Sequence, residues 1–208
     1  MSRAAKSQVP VPARLTDRKR LSIVQAAVSQ FQSRGYYAAS MNAIAEQAEV
    51  SKRTLYNHFD SKEALFDAIV EDLFSRANQM PVCEFNPQQD LAEQLTQLAE
   101  AEVDFMTSDA VQMLARAGLS RVLAEPEVGR TIGHRQLLKR VSRWLKQAHE
   151  AGHLKALDPE FAAHQFLGLL RSFAFWPTIV HGEPKPSKKK RRQIIDSTVA
   201  MFMAQYAA

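Results

Sequence analysis

Residues 40–59, SMNAIAEQAEVSKRTLYNHF, restrict what this chain can fold into more than any other stretch. Ser40 opens it, and a serine hydroxyl can hold the free amides of a first helical turn. Met41, Ile44, Ala45 and Ala48 then recur at helical spacing, so one face is apolar. The period breaks near Glu49-Val50, and Ser51 starts a second short helix, Lys52 to about His58, with Leu55 and Phe59 turned inward. Two short helices joined by a turn of about three or four residues form a helix-turn-helix, whose second helix enters the DNA major groove. The outward residues of that helix are Lys52, Arg53, Thr54, Tyr56, Asn57 and His58. All donate hydrogen bonds and none is acidic. Solvated helix faces usually mix both signs of charge, whereas a face that approaches phosphates excludes carboxylates.

The charge distribution agrees. Residues 1–60 carry nine Lys/Arg against four Asp/Glu, an excess equal to the net charge of +5 of the whole 208-residue chain. The remaining residues therefore balance. Such an asymmetry suits polyanion binding, because neutralising phosphates releases condensed counterions.

These residues also carry a family resemblance. Gly35-Tyr36, Ser40-Met41, Ile44-Ala45, Ala48, Val50-Ser51-Lys52, Thr54-Leu55-Tyr56, His58-Phe59 and Ser61-Lys62-Glu63-Ala64-Leu65-Phe66 resemble the DNA-binding domain of TetR/AcrR transcriptional regulators. The resemblance covers roughly residues 15–70. It implies an all-α homodimer with a DNA-binding head and a helical body that binds a small molecule. It also implies that Thr54, Tyr56, His58 and Lys62 position phosphates, with Lys52, Arg53 and Asn57 toward base edges. Ser51 shares this surface. Ser40 either points its amide and hydroxyl at a phosphate or serves as a helix cap alone. One residue departs from the pattern: Glu49 stands where the family has Gly, at the turn between the two helices.

The expected organisation is a basic arm over 1–15, a helix-turn-helix domain over 16–60 and a ligand-binding and dimerisation domain over 61–208, about nine helices in all. The arm reaches toward DNA or hangs free. Helix 1 runs from Thr16 or Asp17 to about Arg34, with Leu21, Val24, Ala27, Val28 and Phe31 inward and Gly35 as a left-handed stop. Helix 4 follows Asp60-Ser61. Three helical segments cover 90–107, 109–124 and 126–151. Their mixture of large apolar and polar groups is the usual lining of a small-molecule pocket; the candidates are Phe105, Gln112, Met113, Arg116, Arg121, His134, Leu137 and Trp144. Pro126-Glu127, Gly152-His153-Leu154 and Asp158 to Phe166 further resemble the AefR-like subgroup of the family.

Asp158 caps a helix expected to reach Trp176, and a last helix spans about Ser187 to Gln205. Both are apolar over more than one stripe, which requires partners on two sides. A second copy is the simplest outer partner, as in the family's four-helix interface. Phe166, Leu169, Phe173, Ile195, Val199, Phe202 and Tyr206 are the expected interface residues, and Gly168 and Ser172 permit close approach.

His149-Glu150-Ala151-Gly152-His153 spells the H-E-x-x-H of zinc hydrolases, but Gly152 is the expected helix stop and takes His153 out of register. No phosphate-binding, dinucleotide or nucleophile-elbow motif is present. The expectation is therefore no enzyme, no cofactor and no resident metal. The one cysteine, Cys83, excludes an intrachain disulfide and suits a reducing cytoplasm. The opening residues have no apolar run of signal-peptide length, and 161–180 is too interrupted to span a membrane. A cytoplasmic protein on the nucleoid is expected, bound to double-stranded operator DNA and released by an inducer.

Overall fold

The computed structural model describes residues 15–79, 84–124 and 134–208, with residues 16, 74, 76–79 and 134–137 described by their backbone alone. Most of the basic arm, Cys83 and Pro126-Glu127 lie outside the described residues. The elements are α1 (Leu15–Ala38), α2 (Met41–Gln47), α3 (Lys52–His58), α4 (Lys62–Gln79) and α5 (Leu91–Thr107). They continue with α6 (Asp109–Ala124), α7 (His134–Glu150), α8 (Pro159–Ala174), α9 (Trp176–Val180) and α10 (Lys188–Tyr206). Leu154 and Ala207 form an isolated antiparallel bridge. The chain divides into two compact units between Phe66 and Asp67, later than the boundary expected after residue 60. Here they are called the head and the body.

In the head, Ile23, Ala26, Ala27 and Phe31 are the buried apolar residues of α1 before Gly35 among the described residues, rotated from the expected stripe. Leu21 is 50% exposed. At Gly35 the helical path is interrupted with φ 78° and ψ 167°. The positive φ was expected, but the extended ψ turns the chain instead of closing a left-handed cap. The turn after it brings Tyr36 into the core. Phe31 and Tyr36 lie 5.6 Å apart between ring centroids, and the Phe66 ring meets them edge-on at 5.6 and 5.2 Å. Leu65 and Phe66 belong to this core, which is why the head extends into α4.

The α2–α3 turn has a specific strain. The Val50 amide donates to the Ala45 carbonyl at 3.0 Å, and the Glu49 amide to the Glu46 carbonyl at 3.1 Å. This pair is a Schellman cap, whose residue after the C-cap adopts a left-handed conformation. Glu49 occupies that position with φ 54° and is the one non-glycine of positive φ among the described residues. The departure noted in the sequence thus leaves the turn geometry intact.

In the body, α5, α7, α8 and α10 share a core that includes Leu95, Leu98, Val141, Leu145, Leu167 and Leu170. Asp158 accepts from the Glu160 and Phe161 amides and starts α8 as expected. The expected continuation to Trp176 does not hold. Pro177 has no amide for the Phe173 carbonyl and its ring crowds that turn, so α8 ends at Ala174 and α9 follows. This break accounts for ten helices among the described residues.

The same core corrects the expected interface. Phe166, Ile195, Val199 and Phe202 are buried within one chain, and the Phe202 ring packs edge-on to Phe166 at 5.3 Å. Tyr206 is partly buried against Phe202 and bonded to Gln165. Of the expected set, Leu169 and Phe173 turn outward, and Phe173 is 56% exposed. The helical period explains the division: 162, 163, 166, 167, 170 and 174 form one side of α8, and 161, 169 and 173 lie off it.

Replacing Glu49 by Gly should stabilise the head. A left-handed non-glycine residue costs about 1–2 kcal/mol, and glycine returns about 0.5–1 kcal/mol through its freer unfolded chain. The expected net gain is up to about 1.5 kcal/mol in urea unfolding, with Glu49→Val losing stability. A loss for Glu49→Gly would mean that the Glu49 side chain makes a stabilising contribution larger than the strain.

Candidate functional site

The helix-turn-helix is built from caps and apolar anchors. The Ala43 amide donates to the Ser40 hydroxyl at 3.2 Å, and the Thr54 amide to that of Ser51 at 3.1 Å. Ile44 and Ala45 anchor α2, while Leu55 and Phe59 anchor α3 and its end. Arg20 lies over the Phe59 ring at 5.4 Å. With those residues inward, Lys52, Arg53, Tyr56 and Asn57 are exposed. Their side chains make no hydrogen bond among the described residues, so their donors remain open to solvent. Thr54 and His58 are half-exposed, and the Thr54 hydroxyl is 2.8 Å from that of Ser51. Ser40 caps α2 and still lies at the surface.

Lys62 makes contacts within the head. Its ammonium donates to the carbonyls of Tyr36 at 2.9 Å, Tyr37 at 3.3 Å and Ala39 at 3.1 Å. It also sits 4.6 Å from the Tyr36 ring centroid. These are carbonyls left without helical partners beyond the Gly35 interruption. An ammonium has three N–H groups, and here three carbonyls take them. The Tyr36 hydroxyl donates to Glu63 at 2.9 Å, which adds a second link between the same segments. Lys62 is thus a clamp within the head.

The described members of the expected pocket set have varied surroundings. Phe105 packs with Val111, Leu73 and Phe175 in a small cluster. Trp144 belongs to the main body core, with Phe85 edge-on at 5.3 Å. Gln112 is buried and donates to the Met106 carbonyl at 2.8 Å, and Met113 is buried beside it in sequence. Arg121 pairs with Asp67 at 2.7 Å. Arg116 is exposed and donates to the Thr178 carbonyl at 3.1 Å, so it ties α6 to α9 at the surface. The side chains of His134 and Leu137 lie outside the described residues. Sequence reading missed a charged group in the interior: Glu102 of α5, bonded to Arg140 of α7, with Arg171 of α8 acting on it electrostatically. Burial is the largest influence on Glu102 and pushes its carboxyl up, against the opposing pull of Arg140. Glu102 and Arg140 are distant in sequence, so no local spacing marks them.

The H-E-x-x-H residues are structural. The His149 ring lies 3.0 Å from the Leu154 carbonyl, and the His153 ring packs against Phe85 at 5.2 Å. Gly152 with φ 80° separates them beyond the end of α7. Among the described residues no group of three His, Cys, Asp or Glu could hold a metal, and no helix is long and apolar enough to cross a membrane.

Lys62→Ala should lower stability by about 2 kcal/mol, the scale of hydrogen bonds to a charged donor. Arg53→Ala, at an exposed position, should stay within about 0.5 kcal/mol. Thermal melts of the two variants decide the assignment: equal melting temperatures would refute the clamp.

Residues 23–69 match the family described as bacterial regulatory proteins, tetR family. Residues 93–208 match the AefR-like transcriptional repressor, C-terminal domain. The HTH-type transcriptional regulator YhgD of Bacillus subtilis is 30% identical over 164 residues, covering 76% of this chain and 83% of its own. A TetR family transcriptional regulator of Pseudomonas syringae pv. tomato superposes with a TM-score of 0.82 at 38% identity, over 93% of this chain and 99% of its own. The flavonoid-responsive regulator FrrA superposes with a TM-score of 0.75 at 28% identity, over 92% and 98%.

Proposed function

The chain belongs to the TetR family of bacterial transcriptional regulators, and we propose that it is a repressor released from operator DNA by a small molecule. It is a transcriptional regulator and not an enzyme. The observation that carries the DNA-binding reading is the exposed, acid-free surface of α3. Lys52, Arg53 and Asn57 read base edges there, while Ser51, Thr54, Tyr56 and His58 meet phosphates. Ser40 adds a contact at the start of α2. The protein works in the cytoplasm, on the nucleoid.

Two copies place two α3 helices on successive grooves. The outward set Phe161, Leu169, Phe173, Trp176 and Met201 supports a homodimer, since so many large apolar groups on neighbouring helices call for a cover. Gly168 lies on the same helix, and a Cβ added there would meet nothing within 4 Å in one chain. Phe173→Asp should therefore yield a folded monomer in sedimentation. Phe202→Asp should instead unfold the body, because an unpaired charge buried in a core costs about 3–5 kcal/mol. A dimeric Phe173→Asp variant would move the interface elsewhere.

FrrA is named for its response to flavonoids, and a comparable apolar small molecule acting on this body is the proposed inducer. It enters among α5 to α8. The pair of Arg121 on α6 with Asp67 on α4 supplies a route to α4, whose residues Leu65 and Phe66 serve the head core. A ligand shifts operator affinity only through different affinities for two states. By linkage, operator DNA weakens the inducer by the same factor, about 5–150-fold. Footprinting DNA beside the encoding gene supplies an operator, and inducer affinity with and without it is the deciding measurement. Equal affinities would favour a regulator governed by a partner protein or by its own abundance.

A further inference from the structure

The head holds one cation on α3 that does not belong to α3. Arg20 lies in the second turn of α1 and is exposed. Its guanidinium carbon stands over the Phe59 ring, 5.4 Å from the centroid. Phe59 closes the carboxy-terminal end of α3 and is itself buried. The His58 ring lies beside the same Phe59 ring, with centroids 6.4 Å apart. Among the described residues the Arg20 guanidinium makes no hydrogen bond and no ion pair; neither Asp17 on α1 nor Asp60 after α3 takes it. Arg18 is also exposed, but a helix turns by about 100° per residue, so Arg18 stands about 200° around α1 from Arg20.

A guanidinium packed on an aromatic ring keeps its chemistry available. Its five N–H donors lie in its own plane, so an aromatic ring at its face leaves the donor edge open. That edge matches phosphate oxygens two at a time. The ring also restrains a long side chain, which lowers the ordering cost when an anion binds. Attraction to the last carbonyls of α3 accounts for a positive charge at this place. A purely structural arginine would spend its donors on those carbonyls, and Arg20 spends none within the head. The place then selects the anion. A recognition helix meets bases with its amino-terminal residues, and the carboxy-terminal end of such a helix meets the DNA backbone. Arg20 reaches that end of α3 from another helix.

We propose that Arg20 is a further DNA contact: its guanidinium, held on the Phe59 ring, grips a backbone phosphate at the edge of the groove that α3 enters. The proposal rests on the DNA-binding reading of α3 and adds α1 to that surface. The contact positions the head and carries no base preference of its own. Phe59 then has two uses. It anchors α3 in the head core, and the ring over which Arg20 stands is a platform for a phosphate-binding fork.

The test uses the full-length protein and a labelled duplex of about 30 base pairs of random sequence, because a phosphate contact acts on any sequence. Affinity is read by fluorescence anisotropy from about 50 to about 200 mM salt. Each phosphate contact adds about 0.9 to the log–log salt slope. Arg20→Gln and Arg20→Met should each flatten the slope by about 0.9 for every head on the duplex, so the affinity lost over that salt range shrinks about 3.5-fold per head. Arg20→Lys retains the charge and should retain the slope. Arg18→Gln removes the same charge from the other side of α1 and should leave the slope unchanged. Melting curves show that each variant is folded, and Arg20→Met keeps an adaptable apolar chain against the Phe59 ring should Arg20→Gln unfold the head. The proposal is overturned if the neutral variants keep the wild-type slope, whatever their melting temperatures, or if Arg18→Gln flattens it as much as Arg20→Gln does. The two readings fail separately. A wild type that binds no duplex would overturn the DNA-binding reading and this contact with it. A wild type that binds with a slope that Arg20→Gln leaves unchanged would overturn the contact alone.

Discussion

A helix of seven residues does not hold itself together in water; isolated helices shorter than about 12–15 residues are marginal. The short α3 therefore depends on burial of Leu55 and Phe59 and on the Ser51 cap. That dependence also orders its outer surface. Once 55 and 59 point inward, 52, 53, 56 and 57 must point out together, because 3.6 residues complete a turn. The Phe31, Tyr36 and Phe66 rings support the same core, and Lys62 closes the carbonyls left open after Gly35. The surface proposed to meet DNA thus takes its rigidity from apolar packing behind it.

The body solves a different problem. Its helices α8 and α10 give their richest apolar stripes to their own chain, and α8 carries a second set of large apolar groups outward. Into the same interior it admits a carboxylate with arginines from two other helices. Desolvating those groups is costly, and removing one partner costs more than keeping the pair.

Where chemistry is local, the sequence is easy to read. Ser40, Ser51, Asp90 and Asp158 each cap the helix that follows them, since a side-chain acceptor needs only the amides two or three residues ahead. Glu49 stood out by the same logic, and its backbone is indeed left-handed. The resemblance located the head and the AefR-like portion. Residues with two plausible employments were less legible. Lys62 has the reach and charge for a phosphate, but the carbonyls it serves lie more than twenty positions away in the chain. Phe166 and Phe173 sit on one apolar helix, and periodicity alone assigns them to faces without saying which face is covered by the chain itself.

From sequence alone followed the all-α class, the helix-turn-helix with its acid-free outer residues, and most helix starts and stops, because these rest on contacts within a turn or two. The tertiary structure decided that α8 gives Phe166 to the core and Phe173 to the surface. It decided that Lys62 clamps the end of α1, and that Glu102 meets Arg140. Each of these requires helices distant in the chain to approach one another. Burial and electrostatic strength are set by that approach and not by the residues alone.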